Sequence, residues 1–180
     1  MTTPILKTEQ LIVRAFEQAD LPVFAHYRAQ EEVARYQSWT DYSYQDALDL
    51  FNQTDYSSFG TAGHWYQLAI AGRQSNQLLG DIAVHFMDDN QVEMGFTVAP
   101  QNQGQHIATQ AVSVFLVYLF TELNKHRVVA TTDTRNVASC RLLEKLGFRR
   151  EAHFIQNIFF KGAWGDEYQY ALLQSEQRLS

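Results

Sequence analysis

The sequence predicts an α/β protein with a mixed, mostly antiparallel sheet that is flanked by helices. Three runs between residues 65 and 100 have the β-branched and aromatic content of strands, and turn-forming segments separate them. A long apolar helix follows and leads into a further strand, "RVVATT". Because a strand–helix–strand crossover joins parallel strands, we expect one parallel pair beside an antiparallel meander.

Before the meander, the sequence predicts one strand and two helices. Residues 11–16 are typical of a strand, and Asp20 is expected to cap a helix over residues 21–28. A second helix is predicted over residues 43–51, because its first residue, a serine, and Asp46 have the spacing of a capping box. This first third of the chain is therefore predicted to be mostly helical.

The meander strands are predicted at residues 65–72, 77–87 and 91–100. The helix that follows is the longest, since apolar residues recur at i, i+4 spacing. These residues are Ile107, Ala111, Phe115, Leu119 and Leu123.

The last third is predicted to contain a strand, a short helix and a hairpin. The strand covers residues 127–132, and Asn136 is expected to cap a helix that ends at Gly147. Residues 148–160 and 166–173 then form a terminal hairpin around the turn "KGAWG".

Composition indicates one globular domain over residues 1–180, with 46% hydrophobic and 19% charged residues. The net charge of −6 argues against a nucleic-acid partner. The single cysteine, Cys140, excludes an intrachain disulfide and fits a reducing, cytoplasmic setting. No secretory signal is visible, and the longest apolar run, residues 114–120, is too short to cross a membrane.

The loop between the third meander strand and the long helix is the candidate binding element. A helix start offers free backbone N–H groups and a partial positive charge, which suit phosphate oxygens. The relevant segment is "QGQHIA", residues 103–108, although a plain helix start would look similar. It matches neither a Walker loop nor the dinucleotide glycine motif, because no second glycine follows Gly104 and no Lys-Ser/Thr pair ends it.

This loop resembles the acetyl-coenzyme A signature of GNAT superfamily N-acetyltransferases, Gln/Arg-x-x-Gly-x-Gly/Ala. Four segments resemble the ribosomal-protein N-terminal (Rim-type) branch of that family, in the same order. They are "LKTEQLIVRAF", "VEMGFTVAPQNQGQHIATQAV", "TRNVASCRLLEKLGFRREA" and "KGAWGDEYQYALL". The resemblance therefore extends over nearly the whole chain and implies the GNAT fold, with the parallel crossover at the acetyl-CoA site.

Two positions depart from the family pattern. His106 stands where the loop usually has its central glycine, and Gln110 replaces a frequent glutamate. A histidine needs space that glycine leaves free, although it visits left-handed backbone more readily than most residues. Its ring turns outward, or pairs with a phosphate when protonated, or it weakens coenzyme A binding.

The resemblance implies acetyl-CoA as co-substrate, no metal, and direct attack of an amine on the thioester. Backbone groups of Phe96, Thr97 and Val98 would pair with the pantetheine arm. Asn136 would contact the pantetheine or position the acceptor, besides capping its helix. The residues implied to hold the pyrophosphate are Gln103, Gly104, Gln105, His106, Ile107, Ala108 and Thr109.

Two catalytic residues are carried over from the family. Glu93 would act on the amine as general base, through water, and Ser139 would protonate the leaving thiolate; a solvated edge glutamate and a plain first-turn serine are the alternatives. The competing bases are His64, His85 and His153, each more typical of a surface histidine. Asp133 and Asp166 are predicted to be turn or hairpin residues.

The acceptor is predicted to be the α-amine of a protein or peptide. An α-amine has a pKa of about 7.7–8.0 and a lysine about 10.4, so a neutral lysine at pH 7 costs about 3–4 kcal/mol more. The branch also contains enzymes for small amines and drugs, which leaves that alternative open. The acidic charge balance favours a cationic acceptor.

Aromatic residues either wall an acceptor pocket or belong to the core. They are Tyr36, Trp39, Tyr42, Tyr44, Phe159, Phe160 and Trp164. Two other interpretations stay open: a non-catalytic coenzyme A-binding or regulatory domain, and an oligomerising module, since some GNAT domains form homodimers through edge strands.

Overall fold

A computed structural model describes residues 2–177, so the ends of the predicted 1–180 domain, residues 1 and 178–180, lie outside the described part. The strands are β1 (Leu6–Lys7), β2 (Leu11–Ala15), β3 (His64–Gly72), β4 (Leu78–Phe86), β5 (Gln91–Val98), β6 (Arg127–Asp133), β7 (Arg149–Phe160) and β8 (Ala163–Leu173). The helices are α1 (Leu21–Ala29), α2 (Glu31–Ala34), α3 (Tyr44–Gln53), α4 (Ile107–Thr121) and α5 (Val137–Lys145).

All eight strands form one sheet in the order β1-β2-β3-β4-β5-β6-β8-β7. Neighbours pair antiparallel except β5 and β6, which are parallel and are joined through α4. The predicted fold class, a mixed and mostly antiparallel sheet with one parallel crossover, is confirmed.

Helices cover both faces of the sheet. Leu68 and Ile70 pack in one apolar cluster with α4 and α5, whereas Ala69 packs in another with α1 and α3. Because alternate residues of a strand point to opposite faces, these clusters lie on opposite sides of the sheet. The sheet is thus a central layer, and a site between its strands is reachable from two sides.

β5 and β6 separate soon after they begin to pair. Their ladder contains only three pairs, Gln91–Arg127, Val92–Val128 and Glu93–Val129. Beyond Glu93 no pairing with β6 is present within residues 2–177, although β5 continues to Val98. The sheet therefore opens into a wedge between the two strands.

The wedge exposes backbone groups of alternate β5 residues. The N–H of Ala99 donates to the Leu79 carbonyl at 2.9 Å, so the odd-numbered residues of β5 direct their peptide groups toward β4. The even-numbered residues Met94, Phe96 and Val98 then direct theirs into the wedge. Of the three predicted pantetheine partners, Phe96 and Val98 have this orientation, and Thr97 faces β4.

The local helix-capping predictions agree with the structure at three positions. Ser43 and Asp46 form the reciprocal capping box of α3. The side chain of Asn136 accepts a hydrogen bond from the Ser139 N–H at the start of α5. Gly147 has φ +92° just after α5, as expected for the residue that ends a helix.

The prediction that Asp20 caps α1 was wrong. Its carboxylate accepts from Arg14 Nη1 at 2.7 Å and from the Glu17 N–H at 2.8 Å, and it makes no side-chain cap to α1. Arg14 is buried on β2, and a buried guanidinium requires a counterion. The ion pair therefore takes the carboxylate away from the helix.

The structure also differs from the predictions in the bounds of some elements and in two short elements. α4 ends at Thr121, before Leu123, and the chain turns at Asn124 with φ +49°. The hairpin turn consists of only Lys161 and Gly162, both with positive φ, as in the tight type I′ turn. Strand β1 and helix α2 were not predicted because both are too short to show periodicity.

Across residues 2–177, no helix has the length and apolar character needed to span a bilayer. Within the same range, no three His, Cys, Asp or Glu side chains come together as a metal site would require.

Candidate functional site

A cavity of about 600 Å³, the large cavity, opens at the wedge. It is bordered by the end of β5, the loop before α4, the first turns of α4 and α5, and α2 with the segment after it. Its lining includes Glu32, Tyr36, Phe96, Thr97, Val98, Gln103, Gly104, His106, Ile107, Ala108, Thr109, Asn136 and Ser139. The structure therefore brings together most of the residues that were predicted to hold a cofactor.

An array of unpaired amides lines one side of this cavity. From Gly104 to Thr109, no backbone N–H donates a hydrogen bond to any group in residues 2–177. The α4 dipole adds positive charge at this end, since the helix has 15 residues and begins at Ile107. Consecutive free amides at a helix start are a binding site for phosphate oxygens.

Two residues in left-handed conformation shape the array. Gly104 has φ +76° and His106 has φ +59°. The His106 side chain is exposed, so its ring meets solvent rather than core. A non-glycine residue in this region costs about 1–2 kcal/mol, and histidine is among the residues that tolerate it.

Replacing His106 with glycine should change coenzyme A affinity by less than about tenfold, or roughly 1.4 kcal/mol. Glycine adopts the observed φ without strain, so the amide array keeps its shape. Titration calorimetry with coenzyme A measures this difference. A hundredfold gain in affinity would instead mean that the imidazole obstructs the site.

Side chains anchor the loop on both sides. Gln103 donates through Nε2 to the Val98 carbonyl at 3.1 Å, which fixes the loop to the end of β5. Gln105 does not line the cavity and donates to the Gln101 carbonyl instead. Gln110, which replaces the family glutamate, forms hydrogen bonds with Thr8 and Gln10. These bonds hold α4 against the β1–β2 turn.

A second cavity of about 180 Å³, the small cavity, lies at the same wedge. Five residues line both cavities, namely Tyr36, Gln37, Phe96, Asn136 and Ser139. Two reactants held in the two cavities would therefore meet at Phe96 and at the first turn of α5.

Ser139 is free to act on a ligand at this meeting point. The Asn136 Oδ1 atom accepts from the Ser139 N–H at 3.2 Å, which orders the first turn of α5. The Ser139 hydroxyl itself has no hydrogen-bond partner among residues 2–177, and the residue is half-buried. Asn136 is thus engaged in capping while it also borders both cavities.

Glu93 is not brought to either cavity. It lies where β5 and β6 still pair, and its carboxylate is 3.9 Å from His85 Nδ1. His85 stacks on Trp65 with ring centroids 4.8 Å apart. Gly95 lies two residues further along β5 on the same face and does line the small cavity. Glu93 therefore lies just outside the lining of that cavity.

The other candidate bases are placed away from the wedge. A ring nitrogen of His64 lies 3.0 Å from the Ala62 carbonyl, and His153 Nε2 lies 3.4 Å from Asp166 Oδ2. Neither histidine lines either cavity. Asp166 also accepts from the Gln156 N–H, so it holds the terminal hairpin together.

The small cavity contains two carboxylates, Asp133 and Glu167. Asp133 accepts from Arg135 Nε at 2.9 Å and from Nη2 at 2.7 Å. These hydrogen bonds lower the pKa of the Asp133 carboxyl, which stays ionised. Glu167 was missed by the sequence analysis, which placed it only in a hairpin strand.

The wall formed by α2 and the residues after it was also missed, apart from Tyr36. The Tyr36 hydroxyl donates to the Arg135 carbonyl at 3.4 Å, and Lys161 Nζ donates to the Ala34 carbonyl. These bonds attach the segment to the β6–α5 loop and to the terminal hairpin. No motif marks such a wall, because its position depends on contacts with distant parts of the chain.

Of the seven aromatic candidates, two line the small cavity, two pack inside the protein and three are largely exposed. Tyr36 and Phe160 line the small cavity, whereas Trp39 and Tyr42 pack around Arg28. The remaining three, Tyr44, Phe159 and Trp164, are largely exposed.

Comparison with known proteins agrees with this geometry. Residues 10–149 match the family model described as an acetyltransferase (GNAT) domain. The uncharacterized N-acetyltransferase YnaD of Bacillus subtilis is 29% identical over 172 residues, which cover 95% of this chain and 98% of that protein. The spermidine N(1)-acetyltransferase of Vibrio cholerae is 25% identical and is matched over 93% of this chain and 95% of that protein.

A solved GNAT-family acetyltransferase from Bacillus anthracis superposes with a TM-score of 0.86 at 29% identity, covering 96% of this chain and all of that one. The chain matches the GNAT family model, and its sheet splits beside an array of free amides at a helix start. Together these features define a coenzyme A-dependent acyltransferase. The chain belongs to the GNAT acetyltransferase family, and it uses acetyl-CoA as co-substrate to acetylate an amine.

Proposed function

We propose that this enzyme acetylates the α-amine of a protein or peptide, with acetyl-CoA in the large cavity and the acceptor in the small cavity. The observation that carries the proposal is the array of free amides from Gly104 to Thr109, which opens on a cavity shared with Ser139. The diphosphate binds these amides. The pantetheine arm extends along the wedge toward the small cavity.

The unpaired peptide groups of β5 hold the arm and the acetyl group. Phe96 supplies its N–H and carbonyl and Val98 its N–H in place of a pairing strand, whereas the Val98 carbonyl already accepts from Gln103. An N–H near Phe96 polarises the acetyl carbonyl and stabilises the oxyanion that forms on attack. Thr97 contributes its side chain, since its own peptide groups bond to β4.

The neutral amine attacks the thioester carbonyl carbon, a tetrahedral intermediate forms, and the carbon–sulfur bond breaks to give the amide and a thiolate. Ser139 donates its hydroxyl proton to the sulfur as the bond breaks and takes a proton back from solvent. It is suited to this role because its hydroxyl is free and borders both cavities. The amine proton leaves through water toward Glu93, which lies just outside the small cavity.

A small polyamine is the second candidate acceptor. The Vibrio cholerae relative is named for spermidine, and the net charge of −6 attracts polycations. The α-amine has the lower pKa and needs less help to become neutral, which favours it where no strong base lines the cavity. Thiol release with a panel of peptides and polyamines separates the two classes.

Replacing Ser139 with alanine should lower kcat at least tenfold, about 1.4 kcal/mol of barrier, and leave coenzyme A affinity near that of the wild type. The thiolate then loses its proton donor, while the amide array is untouched. Steady-state thiol release and calorimetry measure the two effects. Ser113→Ala on α4 is the control, since Ser113 lines neither cavity. An unchanged kcat would remove Ser139 from the mechanism.

A further inference from the structure

Two carboxylates face one another across the wall of the small cavity. Asp133 on β6 and Glu167 on β8 are direct partners in the antiparallel ladder, and both line the cavity. Partners in such a ladder project from the same face, with their Cβ atoms about 4.5–5.5 Å apart. Like charges at this spacing repel, so the pair requires compensation.

Only one of the two charges is compensated by the protein. Arg135 binds Asp133 through two guanidinium nitrogens and its own N–H. Glu167 accepts a hydrogen bond from Asn157 Nδ2 at 2.6 Å, and this amide is neutral. Within residues 2–177, no Lys, Arg or His nitrogen forms an ion pair with Glu167.

The uncompensated carboxylate lies on the acceptor's side of the wedge. Glu167 lines the small cavity but not the large one, whereas Ser139 and Phe96 line both. Ile158 and Phe160 line the same cavity and lower its polarity near the carboxylate. A cation there would gain more from Glu167 than it would at an open surface.

We propose that Glu167 selects acceptors that carry a second cationic group in addition to the amine that is acetylated. This inference rests on the proposed placement of the acceptor in the small cavity. The second cation pairs with Glu167, relieves its repulsion with Asp133, and positions the reacting amine toward Ser139. Either a Lys or Arg side chain next to an α-amine or the second amine of a diamine has this chemistry.

The test compares acceptors that differ by one positive charge. One pair is 1,4-diaminobutane and butylamine; the other is a short peptide with arginine or methionine as its second residue. For the wild type, kcat/KM should be at least tenfold higher for the dicationic member than for the monocationic member in at least one of the two pairs. The pair that shows this preference identifies the acceptor as a diamine or as a peptide. Glu167→Gln should lower kcat/KM for that dicationic member and so abolish the preference.

Glu122→Gln is the matched control, because it removes the same charge from an exposed site that lines neither cavity. It should keep the preference. Higher salt should reduce the preference of the wild type and leave the Glu167→Gln variant unaffected. An equal loss with all four acceptors would overturn the proposal and would instead place Glu167 at the reacting amine.

A binding measurement keeps this result separate from the proposed reaction. Calorimetric titration of the coenzyme A complex with 1,4-diaminobutane and with the arginine peptide needs no turnover. At least one of the two should bind tenfold more weakly to Glu167→Gln than to the wild type. If binding shows this loss while no acceptor is acetylated, the proposed reaction is wrong and the cation site is supported. If the wild type and Glu167→Gln bind both ligands equally, the cation site is wrong.

Discussion

Replacing Gly104 with valine is expected to weaken coenzyme A binding at least 100-fold, which is about 2.7 kcal/mol. Gly104 has φ +76°, a conformation that a β-branched residue avoids. The loop must therefore rearrange, and the amides from Gly104 to Thr109 lose their common direction. Titration calorimetry with coenzyme A measures the loss.

A matched control is available in the same fold. Gly63 has φ +81°, and an added Cβ would meet nothing within 4 Å at Gly63 or at Gly104. Gly63→Val therefore introduces the same backbone strain before β3, away from the wedge. It should reduce stability to a similar degree and leave coenzyme A affinity unchanged.

The ligand also provides a control. Acetyl-pantetheine lacks the diphosphate, so the wild type and Gly104→Val should bind it equally. A Gly104→Val variant that binds coenzyme A within threefold of the wild type would show that the amide array does not hold the diphosphate.

Replacing Asp81 with alanine is expected to lower the free energy of unfolding by about 3–5 kcal/mol. Asp81 is 1% exposed on β4 and accepts hydrogen bonds from Tyr27 and Gln67. Its carboxylate lies 3.8 Å from Arg28 Nη2. The variant would leave a buried guanidinium without a counterion and two buried donors without an acceptor.

Arg28 has little alternative compensation. Its guanidinium lies over the rings of Trp39 and Phe24, 4.2 and 4.4 Å from their centroids, and its Nε has no hydrogen-bond partner within residues 2–177. Aromatic faces attract a cation but do not neutralise it. The charge therefore depends on Asp81.

Urea unfolding of three variants separates charge from volume. Asp49→Ala, on the exposed face of α3, should change stability by less than about 0.5 kcal/mol. Arg28→Met combined with Asp81→Leu should recover at least half of the loss, since no charge remains buried. A loss below about 1.5 kcal/mol in Asp81→Ala would contradict the role of the ion pair.

Local sequence signals predicted the features that depend on neighbouring residues. The capping box of Ser43 and Asp46 and the cap of Asn136 each join groups three residues apart, so no tertiary information is needed. The crossover from β5 through α4 to β6 followed from periodicity and chain connectivity alone. Failures occurred where a distant partner competes, as Arg14 does for Asp20.

The candidate site divides in the same way. The amide array between β5 and α4 is one continuous segment, and its resemblance to the GNAT motif is sufficient to locate it along the chain. Glu93 was predicted as a base because of its position along β5. How far β5 and β6 stay paired decides whether it reaches the cavity, and that distance is a property of the whole sheet.

The sequence by itself determined the family, the order of the longer elements and the segment proposed to bind the diphosphate, because each of these depends on contiguous residues. Only the tertiary structure decided which side chains line the small cavity. Segment 32–38 and Glu167 come from opposite ends of the chain, and they reach the wedge through the β6–β8 ladder and the bonds of Tyr36 and Lys161. Side chains that far apart in sequence become neighbours only when the sheet is assembled, so no local sequence pattern predicts that they lie together.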